Sequence, residues 1–138
     1  LAIFAAARCC SIAATFSADG SRMAYIAAPG VLRLMGPDLD EATSRLVHGP
    51  PAPGTDGVRV LSGMISRDGT AFIARGEDQA GPGFWSVPID GGAPRLLVRL
   101  DDPRRTAPRP EFTGDGRRIF FMLTEREADV WTVRLEDR

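Results

Sequence analysis

Three of the Asp-Gly pairs in this chain, Asp19-Gly20, Asp68-Gly69 and Asp115-Gly116, fall at nearly one period, 49 and then 47 residues apart. Each pair stands between two apolar runs. Phe16-Ser17-Ala18-Asp19-Gly20-Ser21-Arg22-Met23-Ala24-Tyr25-Ile26 opens the first copy. Ile65-Ser66-Arg67-Asp68-Gly69-Thr70-Ala71-Phe72-Ile73 opens the second, and Phe112-Thr113-Gly114-Asp115-Gly116-Arg117-Arg118-Ile119-Phe120-Phe121 the third. Gly takes positive φ without a Cβ clash, and Asp folds its carboxylate back onto backbone N–H groups in the turn. Asp-Gly between apolar runs is a strong hairpin signal. Three at one period predict a repeated strand–turn–strand unit.

The rest of each copy repeats as well. Phe84-Trp85-Ser86-Val87-Pro88-Ile89 and Val130-Trp131-Thr132-Val133-Arg134-Leu135 share Trp, Val and Ile/Leu at alternate positions, the period of a strand. Val31-Leu32-Arg33-Leu34 is the weaker version in the first copy, with Leu32 in the place of the Trp. Arg45-Leu46-Val47 and Arg95-Leu96-Leu97 supply a fourth strand, entered through Pro37–Thr43 in one copy and the tight Asp90-Gly91-Gly92 in the other. Pro88 removes a ladder donor near a strand end, so a frayed end or bulge is expected there. Ile119–Leu123 is apolar at every position, which predicts a strand buried on both faces. Helical periodicity is poor, and 15 Gly with 11 Pro interrupt any candidate helix.

A period near fifty suits a four-stranded antiparallel sheet better than a helical repeat of about 34 residues. The expected fold is all-β: a β-propeller fragment of about three four-stranded antiparallel blades, the last lacking its outer strand. Blade A is expected over 11–48, blade B over 58–99 and blade C over 109–136. Residues 1–6 are read as the outer strand of a preceding or partner blade. Three blades do not close the usual ring of four to eight. The remaining blades or a second copy are therefore expected partners.

The pattern Phe-Ser-x-Asp-Gly-x-Arg-hydrophobic, followed by Trp-x-Val-x-Ile-Asp-Gly-Gly and Pro-Arg-Leu-Leu, resembles the TolB-type, WD-like β-propeller repeat. The likeness runs from Ser11 onward. It implies the fold and leaves function open, because such blades occur in a periplasmic Tol-system protein, ahead of prolyl-oligopeptidase-type catalytic domains, and behind bacterial Ser/Thr kinase domains. The ending Glu125-Arg126-Glu127-Ala128-Asp129-Val130-Trp131 resembles the last blade of kinase-associated and regulator-type propellers.

Composition and single residues exclude more than they assign. Net charge is −1, against nucleic-acid affinity and adsorption to anionic membranes. Leu1–Ala7 is too short to span a bilayer and has no basic segment before it, and the start without Met reads as an internal fragment. Adjacent Cys9 and Cys10 read as small buried hydrophobes and build no disulfide framework. The compartment stays open, with the periplasmic or extracytoplasmic side favoured by the resemblance. His48 is the only His, no Gly-x-Ser-x-Gly elbow surrounds a serine, and no phosphate loop is present. Asp38-Leu39-Asp40-Glu41 lacks the further ligands of a calcium loop. Trp85 and Trp131 recur at one strand position and read as packing residues. No catalytic residue, cofactor or metal is expected.

Function is therefore sought in loops. Asp-Gly turns share one rim with the third-to-fourth strand turns. The opposite rim carries the more varied segments, Ala27–Gly30, Gly49–Gly57, Arg75–Gly83, Asp101–Arg109 and Thr124–Asp129, and variable loops on a rigid scaffold are the usual place for binding. Arg104, Arg105 and Arg109 suit a carboxylate or phosphate. Glu77 and Asp78, with Glu125, Arg126, Glu127 and Asp129, form a mixed and mostly acidic counterpart. The expected function is a non-catalytic binding or sensor module for protein or peptide, as in a bacterial regulator or Ser/Thr kinase. The alternative is the substrate-gating propeller of a prolyl-oligopeptidase-type hydrolase.

Overall fold

The computed structural model describes residues 14–107, 109 and 111–125. These form an all-β chain with two four-stranded antiparallel sheets, two short two-stranded ladders and no α-helix. No helix among them is long and apolar enough to cross a membrane. The calls on Cys9, Cys10, residues 1–6, Arg126, Glu127, Asp129 and Trp131 lie outside the described residues.

The first sheet is a meander of β1 (Ala14–Phe16), β2 (Met23–Ala28), β3 (Val31–Met35) and β4 (Arg45–His48). The second repeats that order with β5 (Arg59–Ile65), β6 (Ala71–Asp78), β7 (Gly81–Pro88) and β8 (Arg95–Arg99). In the third copy β9 (Arg105–Thr106) pairs with β12 (Thr124–Glu125), and β10 (Phe112–Gly114) with β11 (Ile119–Phe121).

The first two Asp-Gly turns are copies in atomic detail. In one, Ser17 and Arg22 close the turn, and Gly20 at φ 72° donates its N–H to Ser17 O at 2.9 Å. Asp19 accepts from Ser17 Oγ at 2.6 Å, Ser21 N at 3.0 Å and Ser21 Oγ at 2.8 Å. In the other, Asp68 accepts from Ser66 Oγ, Thr70 N and Thr70 Oγ1 at 2.6, 3.1 and 2.9 Å. The third differs. Thr113 takes the Ser position, and Asp115 accepts instead from the N–H of Arg117 and Arg118 at 2.8 and 2.7 Å. Gly116-Arg117 then makes a two-residue turn closed by Asp115 N–H to Arg118 O at 3.2 Å. The ladder moves accordingly, pairing Gly114 with Ile119 where the earlier copies pair Phe16 with Met23 and Ile65 with Phe72.

Each sheet has two apolar faces, because alternate strand residues point to opposite sides. Ala24, Ile26, Leu32 and Leu34 of the first sheet join Ile65, Phe72, Ala74, Trp85 and Val87 of the second in one buried core. β5 lies against β1 and β2, and the Gly30 N–H donates to Val60 O across the two sheets at 3.1 Å. On the second sheet's far side Phe84 meets Phe112 edge-on and Phe121 at a tilt, both with centroids 5.0 Å away. The third hairpin thus packs on the face that the first sheet leaves free. Met23, Tyr25 and Met35 form a separate cluster on the first sheet's outer face, with Leu39 folded over it.

Three expectations change. Leu32 does not take the Trp place: Tyr25 pairs with Arg33 where Ala74 pairs with Trp85. A bulge between Ile26 and Ala28 and a shorter hairpin offset the alignment of the two copies. Arg33 therefore lies on the outer face, donating to Ser44 Oγ and Ser44 O at 2.9 and 2.6 Å. Ile119–Leu123 is not buried on both faces; Phe120 and Met122 are 50% and 56% exposed. Arg75–Gly83 is not a loop, since β6 and β7 run on to a tight turn at Gln79-Ala80. Pro88 sits at the last rung of β7, opposite Ala71. Ile89 N–H bonds Thr70 O at 3.0 Å, so the missing donor faces the β8 side, where the ladder has ended at Ser86–Arg95.

Candidate functional site

The residues expected to bind a partner on the far rim are mostly occupied by one another. Glu77 closes the β5–β6 ladder opposite Arg59, which grips it through Nε at 3.0 Å and through Nη2. Asp78 takes a two-pronged bond from Arg99, Nη1 to Oδ1 at 2.6 Å and Nη2 to Oδ2 at 2.8 Å. This geometry holds the Asp78 carboxyl below its ordinary value, chiefly through the Arg99 bond. Arg99 also donates to Gly81 O and lies over the Trp85 ring at 5.5 Å. Arg105 bonds Glu125 at 3.3 Å and lies 3.7 Å from Asp102, which also receives Arg104. Arg109 is exposed.

The Arg105–Glu125 pair repeats Arg59–Glu77. Each joins directly opposite residues of the two chain segments that flank an Asp-Gly turn. The signal was present in the sequence, as Arg nine residues before Asp68 and Glu nine after it, and ten in the third copy. These charges fasten hairpin ends. Exposed pairs of this kind contribute little stability but leave little free charge for a ligand.

The Asp-Gly rim is different. Two adjoining grooves open between the first and second sheets, of about 600 Å³ and about 320 Å³. The larger is floored by Leu34, Met35, Gly36 and Pro37 and bounded by Ser21, Arg22, Thr43, Arg45 and Asp90. The smaller runs between the two turns, past Arg22, Arg67, Asp19, Asp68 and Thr70. Asp90 in the β7–β8 turn receives Arg45 of β4 at 3.0 Å, an ion pair bridging the two sheets. The two turn carboxylates stay ionised and accept hydrogen bonds from their own turns. The Ser17 hydroxyl first, then the Ser21 N–H, draw Asp19 down to about 2, and Ser66 and Thr70 lower Asp68 in the same way. Arg22 and Arg67 are exposed, and neither makes an ion pair among the described residues. The Arg22 side chain donates to Gly69 O at a long 3.5 Å. Sequence reasoning missed this rim because its charges cluster only once two copies stand side by side.

Other candidates resolve into structure. His48 Nε2 lies 2.8 Å from Val58 O and joins the end of the first sheet to the start of the second. Asp40 caps a single 3₁₀ turn by accepting from Ala42 N–H, and Asp38 accepts from Thr43 Oγ1. Arg75 is buried against the third hairpin's side, over the Phe84 ring at 5.8 Å, with Nη1 on Gly76 O. No protein-family model, curated protein or solved structure matches the chain.

Proposed function

We propose that this chain is part of a β-propeller that works as a non-catalytic binding module for protein or peptide. One observation carries the reading. The side of each copy that faces its successor meets the opposite, predecessor-facing side of the next copy: Ala24, Ile26, Leu32 and Leu34 against Phe72, Ala74, Trp85 and Val87, then Phe84 against Phe112 and Phe121. Repeats stacked through unlike faces in constant order add along an arc, as blades do. The polar groups support binding over chemistry, because His48, Asp19, Asp68 and Asp78 are each engaged in holding a turn, a junction or a strand end. A peptide partner suits a rim where charge and apolar floor lie together.

Spin labels at Ser21, Thr70 and Arg117, equivalent places after the three Asp-Gly pairs, test the architecture. Two similar distances between neighbours, and a Ser21–Arg117 distance shorter than their sum, fit an arc about an axis. Strongly unequal neighbour distances rule the blade reading out.

A further inference from the structure

The chain contains no Asn and five Asp-Gly pairs, at Asp19, Asp56, Asp68, Asp90 and Asp115. Asp-Gly is a reactive sequence as well as a turn former, because no Cβ on the glycine hinders its amide from turning toward the preceding carboxyl. We propose that Asp56-Gly57, in the connection between β4 and β5, is a site of spontaneous isoaspartate formation, and that the fold holds the other four pairs back to differing degrees. The step needs only water. The Gly57 amide nitrogen attacks Asp56 Cγ in its neutral acid form. The N–Cγ bond forms, the Cγ–OH bond breaks, and the amide proton leaves with the hydroxyl as one water. Water then opens the five-membered imide at either carbonyl. Opening at Cγ restores Asp56. Opening at the backbone carbonyl leaves Gly57 joined through Cγ, with one more carbon in the main chain. This chemistry is independent of the binding-module reading.

The pairs differ in whether the two reacting groups are already engaged. At Asp19 and Asp68 both are. Gly20 N–H donates to Ser17 O and Gly69 N–H to Ser66 O, each at 2.9 Å, and each carboxylate accepts three hydrogen bonds from its own turn. Those bonds favour the anion and thin the neutral acid that the step requires, with Asp19 drawn to about 2 and Asp68 lowered as well. Asp90 and Asp115 are held less completely. Gly91 N–H reaches Pro88 O at 3.3 Å, and Arg45 donates to Asp90 Oδ1 at 3.0 Å. Asp115 accepts from the N–H of Arg117 and Arg118, but Gly116 N–H donates no bond among the described residues. Asp56 is exposed. Its carboxylate accepts no hydrogen bond and makes no ion pair among the described residues, and Gly57 N–H donates none there. The flanking residues are anchored. Thr55 O takes Gln79 Nε2 at 3.2 Å, and Val58 is buried with its carbonyl 2.8 Å from His48 Nε2. A Cβ at Gly57 would stand 2.4 Å from Pro51 Cβ, so packing itself keeps the glycine in this pair. The added carbon therefore enters between two fixed points, where the first sheet joins the second.

The test is to hold the whole chain at physiological temperature and near-neutral pH for several weeks and then digest it with trypsin. Cleavage after arginine puts the five pairs in five different peptides, Asp56 in residues 46–59. Isoaspartate shifts a peptide's retention without changing its mass, and electron-transfer fragmentation locates it. Asp56 is expected to convert at least about tenfold faster than Asp19 and Asp68, with Asp90 and Asp115 between, since releasing a charged carboxylate from its hydrogen bonds costs at least that factor. In guanidinium chloride the five rates should converge. Asp56→Glu keeps the charge but would need a six-membered ring, so its peptide of residues 46–59 should stay a single species. Ser17→Ala/Ser21→Ala should raise the Asp19 rate and leave those of Asp56 and Asp68 unchanged. In the aged, unaltered chain, amide shifts should centre on Val58 and Arg59 and spare Ser21 and Thr70. Asp56 converting no faster than Asp19 in the folded chain overturns the proposal. So does a ranking that survives in guanidinium chloride, which would place its cause in the local sequence and not in the fold.

Discussion

Phe84 and Phe120 both lie in strands that begin a few residues after a turn of the repeat, yet Phe84 is 1% exposed and Phe120 50%. Phe84 has the third hairpin over its ring, with Phe112 and Phe121 both at 5.0 Å. Phe120 points away from the second sheet, opposite Thr113, and nothing among the described residues covers it. Ile65 and Phe16 make the same contrast at the other end. They hold equivalent places before the turn, and the first is 4% exposed beneath the first sheet while the second is 52% exposed on an outer face. In stacked sheets, burial is a property of the neighbour and not of the strand. A strand's own sequence fixes which residues are ready to be covered, and the next copy decides whether they are.

The largest effect is expected where that neighbour is present on both sides. Phe84→Ala removes a ring enclosed by the second sheet and the third hairpin, and should cost about 3–5 kcal/mol in chemical denaturation. It should also free the third hairpin, read as faster amide exchange around Phe112 and Phe121. Unchanged exchange there would break the idea that this ring joins the two copies. Gly63→Ala comes next. A Cβ at Gly63 would stand 2.1 Å from Phe72 Cε1 and 2.4 Å from Ile73 O, so the ring and the ladder must both give. A loss of about 1–3 kcal/mol is expected. Gly20→Ala has open space for its Cβ, and its penalty arises instead from φ 72°.

The contrast between copies shows what the sequence made legible. The turns were readable because Asp-Gly acts locally: Asp19 and Asp68 bond residues within two positions of themselves. The four-strand order was readable because each strand alternates and each turn has its own punctuation. The third turn's different register was not, because Thr113 for Ser looks conservative while the bonds of Asp115 move to Arg117 and Arg118. Leu32 was misplaced because the bulge in β2–β3 is invisible to spacing. The far-rim charges were found, but their ion pairs depend on cross-strand register, and the groove at Arg22 and Arg67 depends on two sheets standing together.

The turns themselves offer a smaller test of the comparison. The carboxyl of Asp19 is lowered from 3.8 to about 2, chiefly by the Ser17 hydroxyl, whereas that of Asp115 is lowered chiefly by the Arg117 N–H. A depressed carboxyl contributes stability that is present above its ordinary value and lost as pH falls through the folded value. The Tm should therefore fall as pH drops from about 4 toward about 2. That acid-induced fall should shrink in Asp19→Asn/Asp68→Asn. By carboxyl NMR titration, Ser17→Ala should raise Asp19 toward its ordinary range, while Thr113→Ala leaves Asp115 low. If both alanines act alike, the third turn shares the geometry of the first two.

The smallest effect sharpens the comparison most. Phe120→Ser changes a large apolar side chain in a strand as apolar as any here, and its neighbours Phe121, Met122 and Leu123 are 37%, 56% and 43% exposed. If burial belonged to the strand, this substitution would rank with Phe84→Ala. If it belongs to the neighbour, little packing is lost, and the change in stability should stay within about 0.5 kcal/mol. Four adjacent exposed apolar residues also make an aggregation-prone edge. Phe120→Ser should therefore raise the concentration at which the chain stays in solution, measured by light scattering on the same samples. A loss of stability as large as that of Phe84→Ala would mean that Phe120 is covered in solution, and the distinction between the two copies would fall.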